Sequence, residues 1–183
     1  MQSVHLMGDS AGGNLVMMLA LFSTNPELLS DLGPGAPDRF PLRVQSVVPL
    51  YGIIDRTTSL RNRFPGIDLM IAAYGGRAAL EDKVPSDKAI TPMDIEFDSC
   101  PPTFLAAGSK DRLADGTRAL ASRLENMPVT SICKIYEGEI HGFFSMPWRP
   151  GYATLRQDIF DFIATHDTVV AKTPDFELAE ASV

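Results

Sequence analysis

The stretch Gly8-Asp9-Ser10-Ala11-Gly12-Gly13 constrains this chain more than any other. An apolar run, Val4-His5-Leu6-Met7, enters it, and a second, Leu15 to Phe22, leaves it. That order reads as a strand, a sharp turn and a helix, with a serine at the apex. A Gly-x-Ser-x-Gly turn holds its serine in a strained backbone conformation, so the positions two residues away are expected to lack bulk. Gly8 and Gly12 meet that requirement, Asp9 lies within the same elbow, and Gly13 lets the emerging helix lie close on a sheet. The first amide groups of the helix point back at the turn and favour negative charge there.

The helix that follows is expected over 11–24. Its interior is apolar nearly all round, which predicts burial. Residues 25–41 read as a loop, with four prolines and two glycines. Short runs at 44–50, 103–108 and 131–136 read as further strands. Amphipathic spacing predicts helices from about 113 to 126 and from 151 to 165. Between 53 and 88 there is no strand signal, only a helical candidate at 67–74 stopped by Gly75-Gly76. That segment reads as an insertion lying over the strand ends. Its Arg56, Arg61 and Arg63 are expected to form a solvated face rather than an anion site. Strands alternating with helices predict an α/β fold, a parallel sheet of about four strands covered on both faces. One domain over 1–166 and a frayed acidic tail over 167–183 complete the expected organisation.

The net charge of −7 speaks against nucleic acid or an anionic membrane surface as partner. No apolar run approaches the length of a membrane span. Cys100 and Cys133 form no Cys-x-x-Cys, and Cys133 lies in an apolar run that predicts burial. A cytoplasmic setting is expected, with neither cofactor nor metal.

In a parallel sheet, working groups gather at the carboxyl ends of the strands. Ser10 follows the first predicted strand, Asp111 the third and His141 the fourth. A serine hydroxyl needs a base to take its proton, a neutral imidazole can be that base, and a carboxylate on the far ring nitrogen fixes the tautomer. The order Ser, Asp, His suits a serine carried on an elbow. Of the other histidines, His5 lies inside a strand and His166 at a helix end. Asp115 is the alternative acid, although its place in the first turn of a helix also suits capping. Asp111 is also a good turn former. Glu137 and Glu139 stand too close to His141 in sequence to be preferred.

Together, residues 8–13, Pro101-Pro102-Thr103-Phe104-Leu105-Ala106-Ala107-Gly108-Ser109-Lys110-Asp111-Arg112-Leu113-Ala114-Asp115 and His141-Gly142-Phe143 resemble the hormone-sensitive-lipase-like branch of the α/β-hydrolases. The resemblance covers about residues 2 to 165. It implies a carboxylester hydrolase acting on a small-molecule ester, with Ser10 as nucleophile, His141 as base and Asp111 as its partner. It also implies that 53–88 forms part of a cap over an acyl pocket. Members of that branch carry a His-Gly-Gly-Gly oxyanion motif before the nucleophile, and the only His-Gly here is His141-Gly142. The chain thus resembles the C-terminal portion of such an enzyme, and of the oxyanion donors only the Ala11 N–H can be named. Two expectations follow: a serine esterase working through an acyl-enzyme, or a catalytically inactive fragment or binding scaffold. In the family fold the nucleophile strand is central, so its outer edge here is expected to self-associate.

Overall fold

The computed structural model of the protein describes residues 4–32, 43–81 and 89–167. The chain order is β1 (Val4–Asp9), α1 (Ala11–Thr24), a 3-10 helix (Pro26–Leu32), β2 (Val44–Leu50), α2 (Arg56–Arg61), α3 (Ile67–Gly75), β3 (Thr103–Gly108), α4 (Ala114–Glu125), β4 (Ser131–Tyr136) and α5 (Pro150–His166). The four strands are parallel and lie in the order β1-β2-β3-β4. In register, Asp9 pairs with Leu50 and Gly108 with Tyr136, so the strands finish together at one end of the sheet.

Alternation along the strands sends side chains into two cores. Met17, Leu21, Val47, Leu105, Leu120 and Leu124 pack α1 and α4 on one face. Val48, Phe104, Phe143, Leu155, Ile159 and Phe162 pack α5 on the other. A third, smaller cluster around Ile67, Ile71 and Ala79 holds the segment between β2 and β3 together. The expected α/β architecture, with a parallel sheet flanked by helices, is therefore the observed one.

Several local expectations are corrected. Residues 26–32 are not loop but 3-10 helix. Asn25 explains the ordering: its amide donates to Leu21 O and Ser99 O, and its Oδ1 accepts from the backbone of Asp98 and Ser99. Cys133 is exposed, because β4 is an outer strand that also exposes Ile132 and Lys134. α1 is not buried all round: Leu15 is 53% exposed, on the wall of a cavity described below. Arg56 belongs to no solvated face. It is fully buried, with Nε 2.8 Å from Asp94 Oδ1 and its Nη1 donating to the carbonyls of Ala79 and Glu81. It opens α2, a helix the sequence reading lacked, which Asp55 caps by accepting from Thr57 N at 2.9 Å. Arg61 and Arg63 are exposed, as expected. Residues 33–41 of the expected loop, 82–88 of the expected insertion and 168–183 of the expected tail lie outside the described residues.

Candidate active site

Ser10 stands between the end of β1 and the first turn of α1 with φ 55° and ψ −119°, a conformation that a non-glycine residue seldom adopts. The surroundings explain how it is held. Ser10 N donates to Leu50 O at 3.0 Å, and Asn14 N donates to Ser10 O at 3.2 Å. A Cβ on Gly8 would meet Gly12 O at 2.4 Å, and one on Gly13 would meet Gly52 Cα at 2.9 Å. Gly8 therefore admits the sharp turn, and Gly13 admits the close approach of α1 to the end of β2. Gly12 corrects the sequence reading: a Cβ there would meet nothing within 4 Å. Its backbone, not its own lack of bulk, crowds the turn.

The structure brings Ser10, Asp111 and His141 together. His141 Nε2 lies 2.9 Å from Ser10 Oγ, and its Nδ1 lies 2.8 Å from Asp111 Oδ2. An ionised carboxylate only accepts, so Nδ1 carries the ring proton and Nε2 is left to accept from the serine hydroxyl. The Asp111 side chain is fully buried, and its second oxygen accepts from Leu113 N at 2.9 Å. Asp115 goes elsewhere: its carboxylate accepts from Asn62 Nδ2 at 2.8 Å and pairs with Arg118. Ala11 supplies the first amide of α1, directly after the serine. Asp9 ends β1. Neither spare histidine reaches the serine: His5 Nδ1 meets Ser46 Oγ at 2.8 Å, and His166 Nδ1 meets Phe162 O at 2.8 Å.

Two residues at the site, Tyr51 and Phe64, escaped the sequence reading, and a third, Glu139, was weighed there only as an acid for His141. Tyr51, fully buried just after β2, meets the His141 ring edge-on at 5.1 Å. Burial, and next the carboxylate of Asp9, push its hydroxyl up to about 12, so the phenol stays protonated. Phe64, from the segment between β2 and β3, meets the same imidazole at 4.8 Å. Glu139 is buried and grips the loop that carries His141. Its carboxylate accepts from Arg149 Nε at 2.7 Å and from Gly151 N at 2.8 Å. Burial alone would raise its pKa, but these two donors more than offset that and hold it below the ordinary glutamate range. The loop then turns at Gly142, whose φ of 76° suits glycine. None of the three carried a local signal, since each contact joins segments far apart in sequence or, for Glu139, depends on a loop closing on itself.

Beside Ala11 a cavity of about 310 Å³ opens between α1 and α3, walled by Asn14, Leu15, Ile71, Tyr74 and Ile90. Asn14 ties its two sides together, donating to Ile53 O at 2.8 Å and Ile90 O at 2.9 Å. Among the described residues, no three His, Cys, Asp or Glu side chains come close enough to hold a metal ion. No helix among them is long and apolar enough to cross a membrane.

Comparison with known proteins gives this geometry a setting. Residues 1–145 match a family model described as alpha/beta hydrolase fold. An esterase of Acinetobacter venetianus is 27% identical over 172 residues, which are 91% of this chain and 53% of the relative. The solved structure of esterase B from Lactobacillus rhamnosis superposes with a TM-score of 0.68 at 21% identity, over 88% of this chain and 52% of that one. An esterase/lipase from an uncultured bacterium gives 0.67 at 23% identity, over 88% and 52%. The chain thus spans about half the length of the curated relative it matches. By the family model over most of its length, the chain belongs to the α/β-hydrolases, in their hormone-sensitive-lipase-like branch.

Proposed function

We propose that the chain carries the reacting groups of a serine carboxylester hydrolase. The observation that supports this best is the unbroken line of hydrogen bonds from Ser10 Oγ through the imidazole of His141 to buried Asp111. Ser10 Oγ attacks the acyl carbon while His141 Nε2 takes its proton, and Asp111 stabilises the imidazolium. The Ala11 N–H, aided by the start of α1, faces the oxyanion of the tetrahedral intermediate. That intermediate collapses as the imidazolium returns the proton to the departing alkoxide, leaving an acyl-enzyme. Water repeats the sequence and frees the acid. The apolar cavity beside Ala11 suits a small or medium acyl chain, with Ile53, Met70, Ile71 and Tyr74 from beyond β2 acting as part of a cap over it. The two free thiols, Cys100 and Cys133, support a cytoplasmic setting.

Hydrolysis of p-nitrophenyl acetate and butyrate tests this reading. The sequence contributes no His-Gly-Gly-Gly loop. Turnover by the 183-residue chain is therefore expected about 10²-fold below that of a relative bearing that loop. Asp111→Asn is expected to lower it by a further 10²-fold or more, roughly, because the amide favours the wrong tautomer. Asp115→Asn, whose side chain reaches Asn62 and Arg118 rather than His141, is expected to lose far less. Equal turnover in wild type and Asp111→Asn would contradict the assignment.

A second expectation concerns association. Among the described residues, β1 pairs on one side only, and its free edge runs along Val4, His5, Leu6 and Met7, with Met7 42% exposed. β4, the other outer strand, carries Lys134 paired with Asp158, a charge that discourages edge pairing. The chain is therefore expected to self-associate through β1. Light scattering should give a mass that rises with concentration, and Met7→Lys, at the exposed position of the strand, should lower it. A concentration-independent monomer would contradict this.

A further inference from the structure

The segment between β2 and β3 does more than wall a cavity. After α2 the backbone turns sharply at Arg63, whose φ of 51° lies in the left-handed region. The turn drops Phe64 against the imidazole of His141, ring centroids 4.8 Å apart and planes at 68°. Three hydrogen bonds fasten this turn to the loop that supplies Asp111 and to the first turn of α4. Arg112 Nη1 donates to Arg63 O at 2.6 Å. Asn62 Nδ2 donates to Arg112 O at 3.1 Å and to Asp115 Oδ2 at 2.8 Å. A closed circuit results: Asp111 binds the ring of His141, Phe64 packs on that ring, and the backbone beside Phe64 is held by the residue next to Asp111. At its base Phe64 packs into the cluster around Ile67 and Ile71.

We propose that Phe64 is a positioning residue for His141, held on the imidazole by the fastening of the 62–64 turn to Arg112 and to Asp115 at the start of α4. The proposal rests on the esterase reading for its consequence and on geometry for its substance. His141 Nε2 must stay within hydrogen-bond reach of Ser10 Oγ, and the ring is partly open to solvent. An aromatic edge against it removes alternative side-chain orientations and keeps water from competing for both ring nitrogens. Tyr51 does this from the end of β2, and Phe64 completes it from a segment that the sheet does not otherwise position.

Two readouts on the full chain, labelled with ¹⁵N at histidine, decide the matter. The first is the His141 Nδ1 proton held by Asp111, assigned by its loss in Asp111→Asn. It is expected to be sharp in wild type and in Phe64→Tyr, and broadened or lost in Phe64→Ala. The second is the rate at which a small fluorophosphonate labels Ser10, expected to fall about tenfold in Phe64→Ala and to recover in Phe64→Tyr. If Phe64→Ala does not fold, the double variant Asn62→Ala/Arg112→Ala keeps the aromatic side chain but removes its fastening, and the same two changes are expected in weaker form. A Phe64→Ala chain with a wild-type Nδ1 resonance would overturn the proposal and leave Phe64 as cavity wall alone. Failure of wild type to label, with the resonance behaving as expected, would instead sink the esterase reading and leave the positioning role standing.

Discussion

Ser10→Ala and His141→Ala are each expected to lower both ester turnover and phosphonate labelling by about 10⁴-fold or more, to the level of background. The two losses should be of similar size and should not add in the double variant, because nucleophile and base act as a unit. The structure gives each removal a distinct consequence. Without Oγ there is no atom to attack, although the imidazole remains held by Asp111. Without the imidazole, the hydroxyl keeps its strained position at φ 55° but has no base 2.9 Å away. Folding is expected to survive both substitutions, since Ser10 is held through its backbone to Leu50 O and Asn14 N. Circular dichroism should therefore match wild type while activity vanishes. Turnover persisting in Ser10→Ala would mean that another group attacks.

The largest effect on stability is expected at Arg56, far from any reacting atom. Its guanidinium is 2% exposed and lies 2.8 Å from the Asp94 carboxylate, itself 7% exposed. Arg56→Met keeps much of the side-chain volume but leaves a buried carboxylate without its counter-charge and deprives the carbonyls of Ala79 and Glu81 of a donor. Breaking one side of such a pair costs about 3–5 kcal/mol. Asp94 Oδ2 retains donors from Thr91 and Ile90, which puts the expected loss near the lower figure, about 3 kcal/mol. That corresponds to a fall in Tm of roughly 10 °C. Urea denaturation checks it, and a loss under about 1 kcal/mol would show that water already compensates the carboxylate. Arg56→Met/Asp94→Asn should recover part of the loss, because the stranded charge is then gone.

The sheet and its helices were legible because their signals are local. The apolar runs at 44–50, 103–108 and 131–136 became strands within those bounds, and 67–74 became a helix one residue longer. The meeting of Ser10, Asp111 and His141 was legible for a related reason: a parallel sheet gathers the ends of its strands, and each residue follows one. What the sequence hid depends on distant partners. Nothing around Arg56 announces Asp94, thirty-eight positions on, and one arginine among several reads as surface. Cys133 sits in an apolar run, yet its strand is an outer one, which no local pattern reveals. Phe64 and Tyr51 look like ordinary aromatics until folding sets them on one imidazole. Even at the elbow, pattern and cause part company, for Gly8 is crowded and Gly12 is not.

The central claim is that Ser10 is an activated nucleophile. Intact-protein mass spectrometry after exposure to a small fluorophosphonate, followed by peptide mapping, tests it most directly. One adduct is predicted, on the peptide that contains Ser10, forming slowly in wild type and absent from Ser10→Ala and His141→Ala. No adduct in the folded chain, or one that forms equally fast without His141, would contradict the claim.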